Sequence, residues 1–192
     1  MQVIKFGGTS VAHAHNIKKV KAIVEQKKER PLVVVVSAFS GVTDGLLQCG
    51  QAALQGDASY LQTVESITRQ HVAAVKELLP VTEQAALLSW VVQQCHAVED
   101  LCRGIQQVNE CSPRTRDRLA AYGEWLSSKI IAQFFVTAGI DAQWLDARQL
   151  IVTDSHFGKA HVDFKHTEEA LRSAMSSPHL CVVPGFIAAD AN

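Results

Sequence analysis

The chain has 192 residues, 18 basic against 19 acidic side chains, and 47% apolar content. That is enough to bury one substantial core, and it is too apolar for a disordered chain. A balanced charge gives no long-range pull toward nucleic acid or an anionic membrane. No apolar run approaches the roughly 18 residues of a spanning helix. Partners are therefore expected among small molecules or proteins. A first strand that begins at Gln2 leaves no room for a signal peptide, which points to the cytoplasm. Five cysteines (Cys49, Cys95, Cys102, Cys111 and Cys181) lack the C-x-x-C spacing of a zinc or redox site and read as reduced thiols, mostly on helices.

In chain order, Gln2 to Phe6 is a short apolar strand that carries Lys5 and runs into Gly7, Gly8, Thr9 and Ser10 ahead of a helical pattern. Glycines let backbone amides approach an anion, a helix start favours negative charge, and the lysine adds a full positive charge. The segment reads either as a phosphate site or as a tight turn without a ligand; the Walker spacing is absent. Ile17, Val20 and Val24 then recur at helical spacing. The lysines at 18, 19, 21, 27 and 28, diluted by Glu25 and Glu29, read as a solvated face. Pro31 ends this helix, and Leu32 to Val36 is a β-branched run typical of a strand covered on both faces. Strand, helix, strand implies a parallel pair. The second strand ends in Ser37 to Asp44, whose Ser and Thr hydroxyls and glycine suit a carboxylate or phosphate, or an ordinary turn.

From about Val42 to Gly139 the pattern is helical, with breaks at Asp57-Ala58, at Pro80 to Thr82 and at Ser112-Pro113, where Ser suits an N-cap and Pro the first turn. In the last of these helices Leu119, Tyr122, Leu126, Ile130 and Phe134 form the main stripe. Glu124 falls on a second face with Ala120, Ile131 and Phe135, which buries it. A buried carboxylate needs a partner: Lys5 or a substrate ammonium on one reading, Arg116, Arg118 or Lys129 on the other. Tyr122 and Trp125 read as packing. Strand character returns at Ala142 to Leu145 and around Leu150 to Val152, followed by a helix over Asp163 to Met175 and a strand over Leu180 to Val183. His156, His161, Asp163 and His166 match no usual metal spacing, so no metal site is expected. Asp163, with Glu168 and Glu169, reads as support for a helix start. The fold class is α/β, a mainly parallel sheet covered by helices with a helical insertion. Ligands in such folds sit at the carboxyl ends of strands, where Gly7 to Ser10, Ser37 to Asp44 and Gly185-Phe186 are expected to converge.

Four segments, K-F-G-G-T-S-V (Lys5 to Val11), S-A-F-S-G-V-T-D (Ser37 to Asp44), Y-G-E-W-L-S-S (Tyr122 to Ser128) and P-G-F-I (Pro184 to Ile187), together resemble aspartate kinases. The resemblance implies the amino-acid kinase (carbamate kinase-like) fold. It also implies transfer of the ATP γ-phosphoryl group to the β-carboxylate of L-aspartate, with Mg2+ carried by the nucleotide. By that analogy Lys5 is catalytic and reaches the transferring group, Gly7, Gly8 and Ser10 hold phosphate, and Ser37, Thr43 and Glu124 bind aspartate while Phe186 walls the pocket. Residues 1–192 would be the N-terminal lobe of the kinase domain, from a monofunctional enzyme or one fused to homoserine dehydrogenase. The G-R-G-G-S-D-like segment, the ATP-binding half and the ACT regulatory domains of the family are not in these residues. Little or no kinase activity is therefore expected from them alone, and a homo-oligomer is expected of the parent. The alternatives are another amino-acid kinase, of the acetylglutamate or glutamate kinase kind, and a noncatalytic amino-acid-binding lobe.

Overall fold

A computed structural model describes residues 1–27, 31–175 and 180–190; Lys28 and Glu29 of the basic run lie outside them. Strands β1 (Gln2–Phe6), β2 (Leu32–Val36), β3 (Ala142–Trp144) and β5 (Leu180–Pro184) form a parallel sheet in the order β1-β2-β5-β3. The β-branched run of β2 lies between β1 and β5, which explains its lack of polar alternation. β1 is an edge strand and alternates. Phe6 enters the main core, whereas Val3 is 58% exposed and Lys5 faces the same open side. The sheet is parallel with helices packed on it, as expected, and the Val3 and Lys5 side of β1 is exposed.

Helix α1 (Ala14–Glu25) buries Ile17, Val20 and Val24. It begins four residues after Ser10 and ends on Gln26, so neither the glycine turn nor Pro31 marks its limits. Its outer lysines are solvated or paired, Lys18 with Glu77 and Lys21 with Glu25. The helical stretch resolves into α2 (Val42–Leu54), α3 (Tyr60–Leu78), α4 (Val81–Val108) and α5 (Pro113–Thr137). Ser112 caps α5 by accepting from the Thr115 amide at 3.2 Å, and Gly139, at φ +81°, lets the chain turn away after it.

The second strand signal near Leu150 shrinks to β4 (Val152–Thr153). Asp146 accepts from the Arg148 amide and Ile151 N–H donates to the Ala147 carbonyl, which closes a 3-10 turn over Ala147–Gln149 instead. β4 pairs with β6 (Ala189–Asp190), and α6 (Phe164–Ala174) packs Leu171 into a small second core with Leu145, Leu150 and Cys181. Asp163 caps α6 by accepting from the His166 amide, while Glu168 pairs with Arg172. All five cysteines are free, and four of them are buried.

α5 is buried on two sides because it lies between the sheet and the other long helices. It approaches the turn after β2 closely at Gly123, where a Cβ would stand 2.8 Å from the Ala38 methyl and 3.3 Å from Val42 Cγ1. One turn on, Ser127 Oγ donates to the Ser37 carbonyl at 2.8 Å. Gly123→Ala should therefore cost about 1–3 kcal/mol through overpacking. Gly104→Ala in α4, where an added Cβ meets nothing within 4 Å, should instead stabilise by about 0.5–1 kcal/mol. Urea midpoints of the two variants check the pair; equal effects would contradict the packing.

Beneath the turn after β2, the Phe39 ring stacks on fully buried His71 at 4.8 Å. His71 Nδ1 donates to the Ile67 carbonyl at 2.7 Å, while its Nε2 is buried without a partner. Burial pulls the imidazole pKa down to about 4, the Ile67 bond offsetting part of the shift. A folded pKa below the unfolded one means that the unfolded chain takes up the proton first. Stability from this group is complete above pH 6.5 and is lost as pH falls toward 4, by about 3 kcal/mol. His71→Phe should flatten the stability profile across that window, as measured by denaturant titration at stepped pH; an unchanged slope would show that His71 is not the acid-sensitive group.

Candidate functional site

Parallel pairing in register places Phe6 beside Val36 and Val36 beside Pro184, so β1, β2 and β5 end together. Two bonds extend the pairing beyond the strands, from Ser37 N–H to the Phe6 carbonyl at 3.1 Å and from Gly185 N–H to the Val36 carbonyl at 2.8 Å. The three turns that follow meet as expected. They frame an open cleft of about 380 Å³ whose lining includes Gly8, Ser37, Thr43, Glu124 and Phe186. Gly7 and Ser10 flank it without lining it.

In the first turn the amides of Ser10 and Val11 are already engaged. Ser10 N–H donates to the Gly7 carbonyl at 2.9 Å, so this residue offers an anion its hydroxyl rather than its amide. Gly8 allows the turn to lie against β2's extension, since its Cβ would meet the Ala38 carbonyl at 3.2 Å. The helix whose positive end faces the cleft is α2, not α1. Gly41, at φ +78°, precedes it, and Thr43 and Asp44 stand in its first turn. The sequence signal for this was present in the Gly41 position between two serine- and threonine-bearing segments.

Glu124 is 7% exposed, on the α5 face that its spacing indicates. Desolvation pushes its carboxyl pKa up; hydrogen bonding from the backbone of Ala38 and of Glu124 itself, and the charge of Lys5, offset part of that. Of its possible cationic neighbours, Lys129 stacks on Trp144, and neither Arg116 nor Arg118 pairs with Glu124 among the described residues. Lys5 acts on it through space: its ammonium lies 4.9 Å from the centroid of the Phe186 ring. Phe186 is 88% exposed and adopts φ +55°, a strained conformation for a bulky residue, so it stands over the cleft edge and is not a buried loop anchor.

Tyr122 and Trp125 pack as expected, Trp125 edge-on to Trp90 and under the Arg148 guanidinium. The histidine cluster divides. His166 pairs with Asp163 at 2.7 Å, whereas His156 and His161 both turn to Asp154, a residue without a signal in the spacing. Among the described residues no helix is long and apolar enough to cross a membrane.

The model of the amino acid kinase family matches residues 1–192. The chain is 32% identical over 193 residues to aspartokinase 1, chloroplastic, of Arabidopsis thaliana, covering 96% of this chain and 33% of that protein. It is 32% identical over 191 residues to the aspartokinase of Chlamydia trachomatis, covering 99% and 41%. The fold superposes on E. coli aspartokinase III in complex with aspartate and ADP with a TM-score of 0.89 at 23% identity, over 100% of this chain and 42% of that one. The T-state of the same enzyme, with lysine and aspartate, gives 0.76. The chain thus spans between about a third and two fifths of these relatives, and over its whole length it belongs to the amino acid kinase family.

Proposed function

We propose that this chain is the aspartate-binding and phosphate-contacting lobe of an aspartokinase. The complete enzyme would transfer the γ-phosphoryl group of ATP to the β-carboxylate of L-aspartate, giving 4-phospho-L-aspartate for lysine, threonine and methionine biosynthesis. The observation that carries this reading is a single cleft that puts hydroxyl donors, a helix N-terminus and a buried acid within reach of one small zwitterion. L-Aspartate presents two carboxylates and one ammonium. The hydroxyls of Ser37 and Thr43 donate to its carboxylates near the start of α2, and Glu124 receives the ammonium. A buried acid whose desolvation is only partly offset, by backbone hydrogen bonding first and then by the charge of Lys5, gains from such a cation.

The acceptor carboxylate, with an ordinary pKa of about 3.9, is already ionised at neutral pH, so the reaction needs no general base. The task is to bring two anions together and to neutralise the charge that builds on the transferring group. Lys5 at the end of β1 supplies the positive charge, with Gly7, Gly8 and the Ser10 hydroxyl along the phosphates. Magnesium enters as the counter-ion of the nucleotide phosphates. Glu124 and Asp44, the latter at the start of α2, are carboxylates that line the same cleft. The five free thiols fit a reducing compartment, cytoplasm for a bacterial enzyme, while the plant relatives carry chloroplastic names.

Glu124→Gln tests the role of the acid. A folded carboxyl pKa above the unfolded value contributes stability at low pH that is lost as pH rises, so the amide should leave the fold as stable or more stable at pH 8. Loss of a charge-assisted hydrogen bond of about 1.5–3 kcal/mol should weaken L-aspartate roughly 10- to 100-fold. Calorimetry of the chain and the aspartate KM of the full-length enzyme give two readouts, with L-glutamate as the competing ligand. An unchanged KM, or equal binding of L-glutamate, would contradict the assignment.

A further inference from the structure

We propose that Asp154, His156 and His161 form a binding site for a transition-metal dication of the zinc type, separate from the cleft and from any magnesium that accompanies a nucleotide. The His156 and His161 Nδ1 atoms lie 3.0 and 3.2 Å from the same oxygen, Asp154 Oδ2, and all three ligand atoms fall within 4.8 Å of one another. Zinc bonds of about 2.0–2.2 Å at tetrahedral angles place neighbouring donors about 3.3–3.5 Å apart. The two Asp–His edges are therefore already close to the spacing that the ion requires. Both imidazoles are about four-fifths exposed, which leaves the outer coordination positions to water.

The carboxylate is held for this purpose by its other oxygen. Asp154 Oδ1 accepts from the amides of His156 and His161, both at 3.1 Å, which turns Oδ2 toward the rings. Asp154 N–H donates to the His161 carbonyl at 3.0 Å, and Thr153 bridges Val162, so the two arms of the loop are fixed. Outer bonds that orient a ligand in this way strengthen a metal site. On loading, each ring keeps its proton by moving it from Nδ1 to Nε2, and the metal takes the place of the two N–H donors on Oδ2. Two imidazoles and one carboxylate favour zinc, copper or nickel over magnesium or calcium, whose preference is for oxygen.

The loop is anchored to the elements that carry the cleft. Gly158 N–H donates to Asp117 on α5 at 2.6 Å, Arg114 of α5 lies over Phe157, and Ser155 Oγ donates to Asp190 of β6 at 2.9 Å. An ion here would clamp the loop between the helix of Glu124 and the strand that follows Phe186.

Calorimetric titration of the chelator-stripped full chain with zinc chloride, then with magnesium chloride, tests the site. One equivalent of zinc should bind in the micromolar range, with no magnesium heat, and cobalt(II) should give the intense visible bands of a four-coordinate ion. His156→Ala, His161→Ala and Asp154→Asn should each weaken zinc at least about tenfold, while His15→Ala and His166→Ala leave it unchanged. The substituted rings are exposed, and far-UV circular dichroism should be unaltered. Zinc weaker than millimolar in the parent, retention of affinity in the His156/His161 double variant, or an equal loss in His166→Ala would overturn the proposal.

Discussion

The close approach of α5 to the turn after β2 is the constraint on which the site depends. At Gly123 no side chain separates the helix from Ala38, and Ser127 ties the same helix to the Ser37 carbonyl. With the backbones this near, the next residue, Glu124, must enter the space at the carboxyl end of the sheet. A bulkier residue at 123 would move the acid away from the turn and open the cleft floor. The packing contact and the chemical group are thus consecutive in sequence because one places the other.

The electrostatics follow from that placement. A carboxyl group pushed into a nearly dry position resists ionisation, and the fold only partly relieves it with backbone hydrogen bonding and the charge of Lys5. Lys5 is not spent on an ion pair with Glu124. Its ammonium remains on the open side of β1 over the Phe186 ring, where an anionic group can reach it. A partly compensated acid thus lines the cleft, and a cation stands behind its Phe186 edge. The strain at Phe186 and the partnerless nitrogen of His71 beneath Phe39 lie at the same end of the sheet.

Much of this architecture is visible in the residues. The unbroken β-branched run of β2 announces a central parallel strand, Ser112-Pro113 a capped helix, and the phase of Glu124 relative to Leu119 and Leu126 its burial. Other features depend on tertiary contacts that one sequence does not reveal. The start of α1 was displaced because Gly7 to Val11 satisfies itself with local turn bonds, which leaves α2 to point its positive end at the cleft. β4 was shortened by the Asp146 cap, and the open face of β1 follows from its place at the sheet edge. Asp154 gave no signal because its partners meet it only after the loop folds back.

The central claim is that Glu124 is a buried acid held ready for a cation. The most direct measurement is an NMR titration of its carboxyl carbon with and without L-aspartate. The pKa should lie above the ordinary glutamate value in the free chain and fall when L-aspartate binds, as the ammonium settles beside it. An ordinary pKa in the free chain, or a raised one that L-aspartate leaves in place, would contradict the account.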